Sequence, residues 1–238
     1  MTAVYNEVTT QPHTGIQKRT LADTVAQQLR EEIVGGQLAP GSMVAEIPTA
    51  QRLGVSRVPV REATLVLERD GLLVFEARGR CRVRTLTARD FNEIYSVRLL
   101  LEVEAFKLAA CNHTSDDLIR LEANIKLMAR ARSLARMTLL DIEFHDLILE
   151  AGRQTRLQHL WRVMRGQIQL FTAALQREYN QAKSTGPETT VASHLEALRI
   201  IKSRHEQAAE ECARRHLKSW EDWMRTTGRI ADRQEMHA

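Results

Sequence analysis

Apolar residues recur at helical spacing along almost the whole chain, and the pattern gives way only once, to two short β-prone runs about a third of the way along. Thr20 stands as a cap before the first stripe, Leu21, Val25, Leu29 and Ile33, which runs to about Val34 and is ended by Gly35 and Gly36. Gly54 and Val55 interrupt a shorter apolar segment, and Ser56 follows where an N-cap belongs. A new helix is predicted from about Arg57, with Pro59 in its first turn and Val60, Ala63, Thr64, Leu67 and Leu72 facing inward. Arg57 and Arg61 share the opposite face. Leu73 to Ala77 and Cys81 to Thr85 then read as a hairpin turned at Arg78-Gly79-Arg80.

Thr87 with Asp90 makes a capping box, and beyond it the pattern is helical to the carboxyl terminus. Helices are predicted at about Ala88 to Cys111, Ser115 to Ser133, Thr138 to Gly152, Arg156 to Gln181, Glu188 to Lys202 and Arg204 to Thr227. Ser203 with Glu206 reads as the capping box that starts the last of them. The fold class is mainly α: a polar, unpatterned tail at 1–18, a winged helix-turn-helix unit at 19–86, and an all-α antiparallel bundle of about six helices at 87–238.

Charge changes this picture locally. The chain of 238 residues has a net charge of only +4, yet Arg52, Arg57, Arg61, Arg69, Arg78, Arg80, Arg82 and Arg84 outnumber Glu62, Glu68, Asp70 and Glu76 in the same stretch. That excess suits a face that meets a polyanion. Cys81, Cys111 and Cys212 are too widely spaced for a zinc clip or redox motif and fit a reducing compartment. No apolar run is long enough to span a bilayer and no export leader is apparent, so a soluble, cytoplasmic protein is expected.

Two groups of residues carry candidate chemistry. Arg57 and Arg61, one helical turn apart, can both enter a DNA groove while Ser56 and the open amides of the first turn hold a phosphate. Gly79 allows close approach of the hairpin backbone, and Arg78 or Arg80 can reach a minor groove. Solvated surface charge and a purely structural hairpin are the plain alternatives. In the bundle, Asp141 and His145 lie four apart on one helical face, with His194 and His216 on later helices. Three imidazoles and a carboxylate make a ligand set for a divalent metal ion, zinc or nickel, although histidines with no common purpose produce the same pattern.

Leu53-Gly54-Val55-Ser56-Arg57-Val58-Pro59-Val60-Arg61-Glu62-Ala63 resembles the recognition-helix motif of the GntR family of bacterial transcription regulators. Leu38-Ala39-Pro40-Gly41 and Glu68-Arg69-Asp70-Gly71-Leu72 resemble the family's turn after its first helix and its exit into the wing. The resemblance implies a DNA-binding protein with Ser56, Arg57, Val58 and Arg61 at the reading end and Arg78, Gly79 and Arg80 in the wing. Ile47-Pro48-Thr49 departs from the more polar family pattern.

Asp141-Ile142-Glu143-Phe144-His145, Ser193-His194-Leu195 and Ala213-Arg214-Arg215-His216-Leu217 resemble the metal-binding marks of the FCD ligand-sensing domain of the FadR subfamily. Arg98, Leu101, Glu102 and Ala109-Ala110 resemble that domain's first helix, which implies that Arg98 faces the effector cavity. Its alternative is a surface ion pair with Glu102. A bundle of six helices is similar to the shorter, VanR-like branch, and Gln154-Thr155 replaces the usual Asn-Pro.

The resemblance implies a homodimeric repressor that binds an inverted-repeat operator in double-stranded DNA and is released by a small organic acid, a carboxylate, at the metal. No enzyme is expected. The rivals are a metalloenzyme, for which no Glu-x-x-His pattern is present, and a constitutive DNA-binding protein whose metal is structural.

Overall fold

Thr20 and Asp23 cap each other's backbone amides at the start of α1 (Leu21–Gly35), and Gly36, with φ +83°, closes its end in the left-handed conformation. The computed structural model describes residues 20–183 and 188–226, so the tail expected at 1–18 lies outside the described residues. Val25, Leu29 and Ile33 are buried as a stripe, whereas Leu21 is 55% exposed, because the first turn of α1 projects past the core. Next come α2 (Glu46–Leu53), with Pro48 accommodated in its first turn, and α3 (Arg57–Arg69). The inward residues of α3 are those expected: Val60, Ala63, Thr64, Leu67 and, just beyond it, Leu72 are all buried.

The hairpin is smaller than its sequence suggests. Strands β1 (Leu73–Phe75) and β2 (Cys81–Val83) pair antiparallel, with Leu73 opposite Val83 and Phe75 opposite Cys81. Their connection is no tight glycine turn but a 3-10 turn, Ala77–Gly79, closed by Glu76 N–H donating to the Arg80 carbonyl at 2.8 Å. The far edge of β2 is covered by the segment around Met43, where Val44 N–H donates to Cys81 O and Val83 N–H to Ser42 O.

Six further helices follow among the described residues: α4 (Ala88–Asn112), α5 (Ser115–Met128), α6 (Leu134–Ala151), α7 (Thr155–Lys183), α8 (Glu188–Lys202) and α9 (Glu206–Thr226). Three boundaries differ from expectation for identifiable reasons. Helix α5 stops at Met128 rather than Ser133, because Ser133 instead caps α6 by accepting from Arg136 N–H, which starts that helix at Leu134 rather than Thr138. The expected Ser203–Glu206 box does not form: the Ser203 hydroxyl donates back to Ile200 O, Arg204 takes φ +58°, and His205 Nδ1 accepts from Ala208 N–H. At Gln154-Thr155 the Gln154 side-chain oxygen accepts from Arg156 and Leu157 N–H at 2.7 and 3.0 Å, capping α7.

One apolar core lies under α1, α3 and the hairpin, and a larger one fills the bundle. The two units are not loosely tethered. Helix α1 packs on α6 and α7, and Leu170 of α7 is buried in the amino-terminal core. Arg177 Nη1 donates to Val34 O at 2.9 Å at the end of α1. Gly166 meets the Asp70 backbone so closely that a Cβ there would stand 1.7 Å from Asp70 O. That approach requires glycine.

Candidate functional site

Helix α3 presents its amino-terminal end to solvent. Ser56 has the extended backbone of an N-cap, but its hydroxyl makes no capping bond, so the first-turn amides are not claimed by it. Arg57 and Arg61 are exposed on one face, and Val58 beside them is 64% exposed, an apolar group of the kind that can meet a thymine methyl. Arg57 lies 3.3 Å from Glu46, an exposed pair that is easily exchanged, and Arg61 forms no ion pair with a described residue.

The basic excess of this region divides by role once its partners are known. Arg52 is held by Glu32 through two hydrogen bonds of 2.6 and 2.8 Å, Arg82 by Glu76 and Gly41 O, and Arg84 by Gly71 O. Those three build the unit. At the wing, exposed Gly79 has φ +72° with open space where a side chain would be, and exposed Arg80 stands 3.6 Å from Glu76. The Arg78 side chain lies outside the described residues.

The second group sits inside the bundle. One ring nitrogen each of His145, His194 and His216 lies within 4.8 Å of the others, brought together by α6, α8 and α9. Asp141, one turn before His145, places Oδ1 3.0 Å from His194 Nε2. Glu102 on α4 places Oε2 2.7 Å from His145 Nδ1. Neither contact has the alignment of a hydrogen bond. His194 Nε2 and His145 Nε2 are buried with no hydrogen-bond partner. Orphaned imidazole nitrogens facing one another cost free energy in a protein interior, and their presence together fits a bound cation.

The outer ring atoms strengthen that fit. His194 Nδ1 lies 2.7 Å from Thr190 O; a carbonyl only accepts, so Nδ1 carries a proton and Nε2 is the nitrogen left to face the cluster. His216 Nδ1 is engaged by the Ser193 hydroxyl at 2.6 Å. Burial, then the neighbouring His194 and His145, pushes His216 well below its ordinary pKa, which keeps it neutral as a ligand must be. Although burial works the other way, contact with His194 holds Asp141 well below the usual carboxylate range. Against burial likewise, Arg98 and then His145 bring Glu102 down to about 2.

A cavity of about 500 Å³ opens onto this cluster. Asp141, His194 and His216 line its floor, Met137, Gln176, Tyr179 and Trp220 its walls, and Arg132 and Arg215 also face it. Arg215 is paired with Glu196 at 3.0 Å, whereas Arg132 forms no ion pair with a described residue. Arg98 is not on this wall and is not a surface pair either: it is 1% exposed, behind the cluster, bonded to Glu102 at 2.6 Å and to Thr172 at 3.2 Å. The ion pair with Glu102 thus forms, but inside the bundle and not at the surface. Thr190 had no place in the sequence analysis, and Glu102 and Ser193 entered it only within the family resemblance and, for Glu102, as the ion-pair partner of Arg98.

Comparison with known proteins covers both groups. The model of the FCD domain matches residues 93–219, and that of bacterial regulatory proteins, gntR family, matches residues 21–83. The chain is 28% identical to the uncharacterized HTH-type transcriptional regulator YdhC of Bacillus subtilis over 80% of its own length and 84% of the relative's. It is 29% identical to the gluconate operon transcriptional repressor of the same organism, covering 67% of each chain. Among solved structures, E. coli McbR/YncC has the same fold, with TM-score 0.67 and 22% identity over 84% of this chain and 94% of that one.

Proposed function

The chain belongs to the gntR family of bacterial regulatory proteins and carries an FCD domain, and from that premise we propose that it is a homodimeric repressor freed from an inverted-repeat operator by a small carboxylate bound at a metal site in the bundle. It is a transcriptional regulator and not an enzyme. The observation that carries the sensing half of the proposal is the convergence of His145, His194 and His216 beside a cavity that His194 and His216 line, with buried ring nitrogens of His145 and His194 that have no hydrogen-bond partner.

Asp141, His145, His194 and His216 would hold a divalent ion, zinc or nickel, which would supply a Lewis-acidic contact for a carboxylate or hydroxyacid. The protein's own groups do the rest. Thr190 and Ser193 fix two rings, Arg132 offers the acid a counter-charge, and Gln176 and Tyr179 offer polar contacts along the wall. The gluconate operon repressor among its relatives supports a hydroxylated acid as the ligand class. Exposed Leu100 on α4 and exposed Leu160 and Val163 on α7 provide apolar surface for a twofold contact. No described helix is long and apolar enough to cross a membrane; an operator in double-stranded DNA as partner calls for the cytoplasm.

Coupling follows from α7, where Gln176 lines the cavity and the adjacent Arg177 holds the end of α1. A ligand that favours one placement of α7 shifts the DNA-reading unit with it. The test uses DNA selected from a random pool by the purified protein. His194→Ala should keep operator binding within about tenfold, roughly 1.4 kcal/mol, while losing zinc and the response to D-gluconate and citrate. Chelation should silence the wild type in the same way. A variant that responds normally without metal would overturn the metal-centred reading.

A further inference from the structure

Arg98 and Glu102 are charged, adjacent on one face of α4, and 1% and 0% exposed. A buried pair of this kind adds little to stability, because desolvation of both groups offsets their attraction. Its geometry gives it another use. Glu102 divides its oxygens: Oε1 accepts from Arg98 Nε at 2.6 Å, and Oε2 stands 2.7 Å from His145 Nδ1. Arg98 in turn is fixed from two more sides, by Nη1 donating to Thr172 at 3.2 Å and by its guanidinium 5.7 Å from the Phe171 ring centre. The result is a chain from the wall of α7 through Arg98 and Glu102 to the back of one ring of the histidine cluster. Neither residue lines the cavity.

We infer that Arg98 and Glu102 are positioning residues of the metal site, with Glu102 holding the Nδ1 side of His145 and Arg98 holding Glu102, so that His145 is presented to the metal through Nε2. This rests on the metal-centred reading above and deepens it. A carboxylate behind a ligating imidazole fixes the tautomer and raises the basicity of the opposite nitrogen. An arginine suits the outer place because its planar fork bonds two partners in different directions, which a lysine ammonium on a flexible stem does not reproduce. Arg98 therefore meets the effector only indirectly.

The test measures binding of Co²⁺ and Zn²⁺ alone by competition against a chelator, with the visible spectrum of the Co²⁺ form as a second readout. Glu102→Gln keeps the shape and an acceptor oxygen but removes the charge; it should bind both ions ten- to a hundredfold more weakly and shift the Co²⁺ bands. The double variant Arg98→Met with Glu102→Gln leaves no lone buried charge and keeps the test valid where a single variant folds poorly, as judged by circular dichroism of the chelated protein. It should show the same loss. Equal affinity and an unchanged spectrum in a folded variant would overturn the inference while leaving the metal site standing. A wild type that takes up neither ion would overturn both. Should Arg98→Met with Glu102→Gln keep wild-type metal affinity yet lose binding of D-gluconate, Arg98 is an effector contact and not a positioning residue.

Discussion

The reading end of α3 and the histidine cluster use charged groups in opposite ways. Arg57 and Arg61 stand in water, held at most by one exposed ion pair, and in the proposed function they exchange that water for phosphate and base edges. Glu102, Asp141, His145 and His194 are shut away from water, and each is countered or approached by a named neighbour. A large polyanion brings its own field and needs only an accessible patch. A small ion or acid must be met by groups whose solvation has already been given up, so its site is built from burial.

The sharpest way to break this contrast is to remove the exposed pair. The double variant Arg57→Ala with Arg61→Ala should lose about 2–6 kcal/mol of operator binding per half-site, taking about 1–3 for each bidentate contact. Its stability should shift by no more than about 0.5 kcal/mol, as for other surface changes. Titrations at several salt concentrations, paired with thermal melts, check both statements. Wild-type affinity and salt slope would remove this face from the reading role.

A change at the seam between the regions should have an intermediate effect. Gly166→Ala drives a methyl into the Asp70 carbonyl, and overpacking of this kind costs about 1–3 kcal/mol. Hydrogen exchange should quicken at the ends of α1 and α3 that face α7, while metal uptake stays as it was. Unaltered exchange there would mean that the two units do not bear on each other at this point.

The smallest effect is expected within the sensor's own scaffold. Gln154→Ala removes the acceptor for two amides at the start of α7 and should cost about 1 kcal/mol, with Gln154→Asn recovering part of it. Urea denaturation curves of the three proteins decide the matter; a null result would make the cap dispensable.

What the sequence made legible differs between the regions for the same reason. Around α3 the information is local: Ser56, Pro59, two arginines a turn apart and five inward residues lie within one short stretch, and all fall where their spacing puts them. His145, His194 and His216 come from three helices, so their meeting depended on how the bundle packs; residue type offered them as a ligand set, and a family resemblance singled them out. The burial of the Arg98–Glu102 pair was not legible because an arginine and a glutamate at i and i+4 look alike in sequence whether water or Phe171 lies beside them. At Ser203 the hydroxyl found a nearer acceptor in Ile200 O than the amides ahead of it.

Leu170 belongs by sequence to the sensor and by packing to the core beneath α1 and α3. A DNA-binding unit cut free after Leu86 would therefore lose one of its own interior side chains and expose the apolar surface that it covers. Grafting that unit onto a different sensor requires an apolar residue of similar volume at the same place on the incoming helix, together with a position like Gly166 that lets the backbones touch. Recombination between relatives is thereby restricted to partners that already share this seam, and in calorimetry the chain should melt in one cooperative transition in place of two.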